Sequence, residues 1–137
     1  LNDEMHIFII NKLLKSLNEN FHKKRFNILV AGLAFKENIN DFRNSRSIIL
    51  AKSIRAKGHK LDVFDNNISS QEFRKTHKLN IISKPKKKSY DAILISVAHD
   101  SFKNLKKNYF VSLLKDKNRG VIFDIKNIFN EKSFISL

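Results

Sequence analysis

Two short, almost uninterrupted apolar runs constrain this chain more than any other feature. Phe26-Asn27-Ile28-Leu29-Val30-Ala31-Gly32 and Ala92-Ile93-Leu94-Ile95-Ser96-Val97 are rich in branched side chains and too short for ordinary helices. A strand that is apolar at successive positions has no side to give to water. Each must therefore lie inside a sheet that is covered on both faces.

The remaining segments supply that cover. Residues from Asn2 to Phe21 read as one helix, with Ile7, Ile10, Leu14, Leu17 and Phe21 at helical spacing and Ile9 and Leu13 widening the stripe. Met5 and Phe8 fall outside that arc, which fits either a second packing partner or two isolated exposed apolar residues. After the first run, Asn44 or Ser45 can cap a helix that reaches Lys57, with Ile49, Leu50 and Ile54 inward and Arg55, Lys57 and Gly58 forming a basic end and a stop. Lys60 to Asp65 alternates as a strand, Ser69 to His77 reads as a helix, and Leu79 to Ile82 as a weak strand. His99 to Leu114 looks helical in two pieces broken near Asn108, and Gly120 to Asp124 closes the series. Strand and helix alternate through short connections, which implies right-handed crossovers between parallel strands. The expected fold is α/β: a doubly wound, mostly parallel five-stranded sheet with helices on both faces, preceded by a long N-terminal connecting helix. The division expected is 1–24 for that helix and 25–137 for the sheet domain.

A chain of 137 residues is long enough for one domain with a real core and too short to expect two. It has no cysteine, which excludes disulfides, thiolate zinc sites and a cysteine nucleophile within it. No apolar run approaches the roughly 20 residues of a membrane helix and no secretory leader opens the sequence, so no membrane partner and a cytoplasmic location are expected. The formal net charge of +14 raises a basic nucleic-acid-binding module as one reading, beside lysines that simply fill solvated faces. The one dense run, Lys84-Pro85-Lys86-Lys87-Lys88, has no interleaved aromatics of the kind single-strand binders stack on bases.

In a doubly wound sheet, ligands lie beyond the carboxyl ends of the strands. Three segments end there: the loop after Gly32, the Ala98-His99-Asp100 turn, and Asp124-Ile125-Lys126-Asn127. The first lacks the G-x-x-G remainder of a dinucleotide turn, although Asp65 stands where such a fold holds ribose hydroxyls. Lys36 and Arg43 supply cationic donors there instead, and the next helix supplies free N–H groups suited to a phosphate. Arg43 can equally serve as a salt-bridge partner of Asp41 or Glu37. Asp100 is expected to cap the following helix and His99 to pack or hydrogen-bond near the ligand, with Asp124 as an acceptor for loop N–H groups and Lys126 facing the same cleft as Lys36.

Gly32-Leu33-Ala34-Phe35-Lys36-Glu37-Asn38 followed by Asp41-Phe42-Arg43-Asn44-Ser45 resembles the signature that opens the UDP-binding domain of the UDP-glucose/GDP-mannose dehydrogenase family. Tyr90-Asp91-Ala92 leading to Val97-Ala98-His99-Asp100-Ser101-Phe102, and then Phe123-Asp124-Ile125-Lys126-Asn127, match further family segments in the same order. Leu1-Asn2-Asp3-Glu4-Met5 is similar to the start of the family's long interdomain helix. The V-A-H-D-x-F form resembles the branch that oxidises UDP-N-acetylhexosamines.

The resemblance implies a Rossmann-like domain of an enzyme that oxidises a UDP-sugar at C6 to a uronic acid, in two NAD-dependent steps through a catalytic cysteine, for polysaccharide synthesis. It implies that Phe35 and Lys36 contact the UDP-sugar and that Arg43 reaches NAD bound mainly by another domain; a homodimer through the first helix is expected from that helix being apolar on more than one side. Lys126 stands where UDP-glucose members have a substrate-binding arginine, and a lysine cannot make the same bidentate contact. Ala34 replaces the commoner threonine, and Ile39-Asn40 a Cys-Pro pair. In the family pattern the glycine-rich dinucleotide turn and the cysteine precede Leu1. This chain therefore reads as an excised or split domain, or a remnant, that is not catalytically competent alone.

Overall fold

The computed structural model describes residues 4–33, 46–65 and 78–137. Helix α1 spans Met5–Asn20, strand β1 Asn27–Ala31, helix α2 Arg46–Ala56, and β2 Lys60–Phe64. They are followed by β3 at Ile81–Ile82, β4 at Ala92–Ile95, helix α3 at Asp100–Leu113 and β5 at Val121–Asp124. The five strands form one sheet in the order β3-β2-β1-β4-β5, and every neighbouring pair is parallel. The expected helix at Ser69 to His77 and the caps at Asn44 and Ser45 lie outside the described residues.

Side-chain alternation along the central strands makes two cores. Ile28 and Val30 of β1, Ala92 and Leu94 of β4 and Phe123 of β5 pack under α1 and α2. Leu29 and Ala31, Ile93 and Ile95, and Ile122 pack against Phe102, Phe110 and Leu113 of α3 on the opposite face. A doubly covered sheet is the reason β1 and β4 carry apolar residues at successive positions. The chain after β5 returns along the sheet edge, where Ile135 pairs with Phe123 and Phe134 joins the α3 core.

Two expected inward residues point outward. Ile7 is 53% and Ile49 43% exposed. In α1 the buried stripe is Ile9, Ile10, Leu13 and Leu17, and Ile7 stands about 100° from its centre at 3.6 residues per turn. In α2 the buried arc runs through Ser47, Ile48, Leu50, Ala51 and Ile54, which puts Ile49 on the opposite side. Met5, expected off the stripe, is partly buried against the core, while Phe8 is 53% exposed. The break in α3 falls at Lys106, whose φ of 67° is non-helical, rather than at Asn108.

Candidate functional site

All five strands point their carboxyl ends to one edge, and polar side chains gather there inside an otherwise apolar sheet. Gly32 leaves β1 with φ +101°, and its N–H donates to the Phe64 carbonyl at 2.8 Å. A Cβ at Gly32 would lie 2.8 Å from Val97 Cβ and 3.0 Å from the Val97 nitrogen, so glycine is required both for its dihedral and for the close approach of β4.

The next residue is held by a buried carboxylate. The Leu33 N–H donates to Asp65 Oδ2 at 2.8 Å, and His99 Nε2 lies 3.1 Å from the same oxygen. Both the Asp65 and His99 side chains are fully shielded from water. His99 also meets the Phe102 ring edge-on at 5.2 Å. Asp65 is thus turned inward onto backbone and imidazole, not outward toward ribose hydroxyls.

A second polar chain ties the two ends of segment 34–45 together. The Ser47 hydroxyl, at the start of α2, donates to Ser96 Oγ at 2.9 Å, and the Ser96 hydroxyl donates to the Gly32 carbonyl at 2.6 Å. Ser96 thereby fixes where the chain leaves β1 and where it enters α2. Neither serine belongs to a site motif in the sequence. The signal for Ser96 was its interruption of an apolar strand, and for Ser47 its helical phase with Ala51 and Ile54.

The third turn is organised by Asp124. Its carboxylate accepts the Ile128 N–H at 3.1 Å and the Phe129 N–H at 3.0 Å, in the acceptor role expected for it. Lys126 follows immediately and is exposed at this edge, beyond Ile125, whose N–H donates to the Ile95 carbonyl at 3.0 Å. Asp100 is not the cap of α3. His99 occupies the N-cap position with extended dihedrals and without a side-chain cap bond, and Asp100 stands in the first turn, where a carboxylate complements the helix dipole. Phe35, Lys36 and Arg43 fall outside the described residues. What the described residues bring together is the frame: Gly32, Leu33, Asp65, Ser96, His99 and Lys126 converge on the carboxyl edge.

Comparisons with known proteins agree with this architecture. The profile of the UDP-glucose/GDP-mannose dehydrogenase family, UDP binding domain, matches residues 29–131. A UDP-N-acetyl-D-glucosamine 6-dehydrogenase of Salmonella typhi is 31% identical over 93% of this chain and 30% of its own length. Protein CapL of Staphylococcus aureus is 32% identical over 95% of this chain and 30% of its own length. Among solved structures, a UDP-D-ManNAc dehydrogenase from Pyrococcus horikoshii superposes with a TM-score of 0.76 at 27% identity, covering 98% of this chain and 30% of that one. The chain spans about three tenths of the length of the relatives it matches.

Proposed function

The chain belongs to the UDP-glucose/GDP-mannose dehydrogenase family by its UDP-binding domain, and from that premise we propose that it is the nucleotide-sugar-binding part of an NAD-dependent UDP-N-acetylhexosamine 6-dehydrogenase. The observation that carries this reading is the carboxyl-edge frame. Ser96 joins Gly32 to Ser47, and Asp65 fixes Leu33, so both anchors of the signature segment are tied to the sheet by buried hydrogen bonds. Preorganised anchors spare the ordering cost of binding. The relatives named as UDP-N-acetyl-D-glucosamine 6-dehydrogenase cover almost all of this chain, which supports the hexosamine branch.

In this reading Phe35 and Lys36 contact the UDP-sugar, Lys126 adds a cationic contact from the end of β5, and Arg43 reaches toward NAD. The residues of this chain do not themselves fit a dinucleotide turn. Gly32 is followed by no further glycine in the loop, and the Asp65 carboxylate holds Leu33 and His99. These 137 residues hold no cysteine, so in this reading the nucleophile and the main nicotinamide contacts are supplied by the part of the enzyme outside them. The exposed Ile7 and Phe8 of α1, with Leu137 beside them, form an apolar patch that suits a second copy of the domain, giving a homodimer through the first helix.

Calorimetry with UDP and UDP-N-acetylhexosamines tests the reading. Binding is expected with the uridine diphosphate group as the main determinant. Absence of binding to the chain, and again to the chain joined to its dinucleotide domain, would refute it. Lys36→Ala in the intact enzyme should lower catalytic efficiency, and an unchanged value would remove Lys36 from the site. Sedimentation at micromolar concentration showing only monomer would reject the homodimer for this chain.

A further inference from the structure

A second concave site lies at the opposite, amino edge of the sheet, beyond the length of the central strands from the carboxyl-edge frame. It is a depression of about 310 Å³ between the start of β1, the start of β2 and the 86–90 loop, a size in the range of small-ligand pockets. Four lysines from three places in the sequence converge on it: Lys60 at the start of β2, Lys86 and Lys88 from the loop, and Lys115 after α3. All four are exposed, and among the described residues none of their ammonium groups has a carboxylate partner. Asp62 is the one acidic residue in the lining. Its Oδ2 is already engaged, accepting the Tyr90 hydroxyl at 2.7 Å. Four lysines against one aspartate give the lining residues a formal net charge of +3.

The lysines are presented by a fastened loop. Pro85 is buried. The N–H groups of Lys88, Ser89 and Tyr90 donate to the carbonyls of Ser112 and Leu113, and Lys115 N–H donates back to the Tyr90 carbonyl at 2.8 Å. Lys88 is held at φ 50°, a conformation that a residue with a side chain adopts only at a cost. Lys87 is sorted away from its neighbours, with its Nζ 2.6 Å from Ser112 Oγ and 4.2 Å from the Tyr109 ring centroid. The run of lysines is therefore not an undifferentiated charge cloud. Two of its members line the depression and one is tied elsewhere.

We propose that this amino-edge depression binds a compact polyphosphate group, either free or carried by a nucleotide, independently of the carboxyl-edge site. Lysine ammonium groups act as point charges suited to phosphate oxygens, and several converging ones favour a multiply charged chain over a single carboxylate. Extended nucleic acid fits less well. The aromatic ring in the lining, Tyr90, is 3% exposed and its hydroxyl is engaged, so it offers no platform for stacking bases.

The test is calorimetry of the 137-residue chain with inorganic tripolyphosphate at about 0.15 M salt, where diffuse surface attraction is largely screened. One-to-one binding is expected, together with amide shifts at Ser89 and Tyr90 and none at Leu33. The Lys86→Ala/Lys88→Ala variant should bind at least about tenfold more weakly. Lys15→Ala/Lys117→Ala, which removes the same charge from exposed positions outside the depression, should bind like the parent. No binding, equal weakening in both variants, or shifts centred on Leu33 would each overturn the proposal. A nucleoside triphosphate arm separates the sources: tighter binding than tripolyphosphate marks a nucleotide, and equal binding marks the polyphosphate alone. Preferential binding of a short DNA duplex, undiminished by the Lys86/Lys88 substitutions, would also refute it.

Discussion

Removing the Asp65 carboxylate should cost this domain a large part of its stability. The carboxylate takes the Leu33 N–H at 2.8 Å and faces His99 Nε2 at 3.1 Å, and water reaches neither side chain. In Asp65→Ala both groups lose this buried acceptor, and each buried polar group left unsatisfied costs about 1–3 kcal/mol, about 4 kcal/mol for the two together. Asp65→Asn keeps an oxygen acceptor but loses the charge, the difference between a charged and a neutral hydrogen bond, about 1–2 kcal/mol. Against a total of about 5–15 kcal/mol, the alanine variant loses about a quarter or more of the margin. Its melting temperature should fall by about 10–15 °C for a chain of this size. The chain has no tryptophan, so urea unfolding followed by far-ultraviolet circular dichroism is the suitable assay. A cycle with His99→Ala then isolates the pair, and a coupling of about 1–3 kcal/mol is expected. Additive losses within about 0.5 kcal/mol would refute the argument that Asp65 and His99 act as one unit.

Gly32→Ala combines a positive φ with a contact at 2.8 Å to Val97 Cβ, and should destabilise by about 2–4 kcal/mol in the same denaturation assay. His59 Nδ1 accepts the Phe26 N–H at 3.2 Å, and burial, followed by Lys57 and Arg25, holds its pKa below the ordinary imidazole value. The unfolded chain therefore takes up the proton first. The His59 contribution is complete above about pH 6.5 and is lost as pH falls through the lowered folded value, a slope that His59→Phe should abolish. Both tyrosines are raised, Tyr90 by burial and then its bond to Asp62, Tyr109 by burial. Alkaline titration of phenolate absorbance should show Tyr90 silent near pH 10 until the chain unfolds and Tyr109 ionising later than a free phenol, and a normal native-state titration of Tyr90 would contradict its burial.

The central strands were legible because their chemistry is redundant. Ile28, Leu29, Val30 and Ala31 are each less than 2% exposed, so no shift in register could have hidden the pattern. Strand β3 offered only Ile81 and Ile82, and its order in the sheet comes from pairing with β2, which no local pattern encodes. Helix faces were legible only where apolar identity and burial coincide. Ser47 is buried because Ser96 satisfies its hydroxyl, while Ile49, two positions along, faces water. The polar frame of the site was legible in parts. Asp124 could be assigned as an acceptor from its place after a strand, but the pairing of Asp65 with His99 joins residues 34 positions apart and needs the fold.

Buried carboxylates serve both edges of the sheet. Asp65 and Asp124 at the carboxyl ends, and Asp91 at the start of β4, are 4%, 1% and 2% exposed. Each takes backbone N–H groups, from Leu33, from Ile128 and Phe129, and from Asn27. Carboxylates directed inward in this way fix loops but neutralise little of the surface. Among the acidic residues only Asp62 lines the amino-edge depression beside Lys60, Lys86, Lys88 and Lys115. A substitution such as Asp91→Asn would consequently act on folding far more than on anion affinity. Asp91 meets Lys23 at 2.9 Å and the Asn27 N–H at 2.9 Å, but lines no part of the lysine depression.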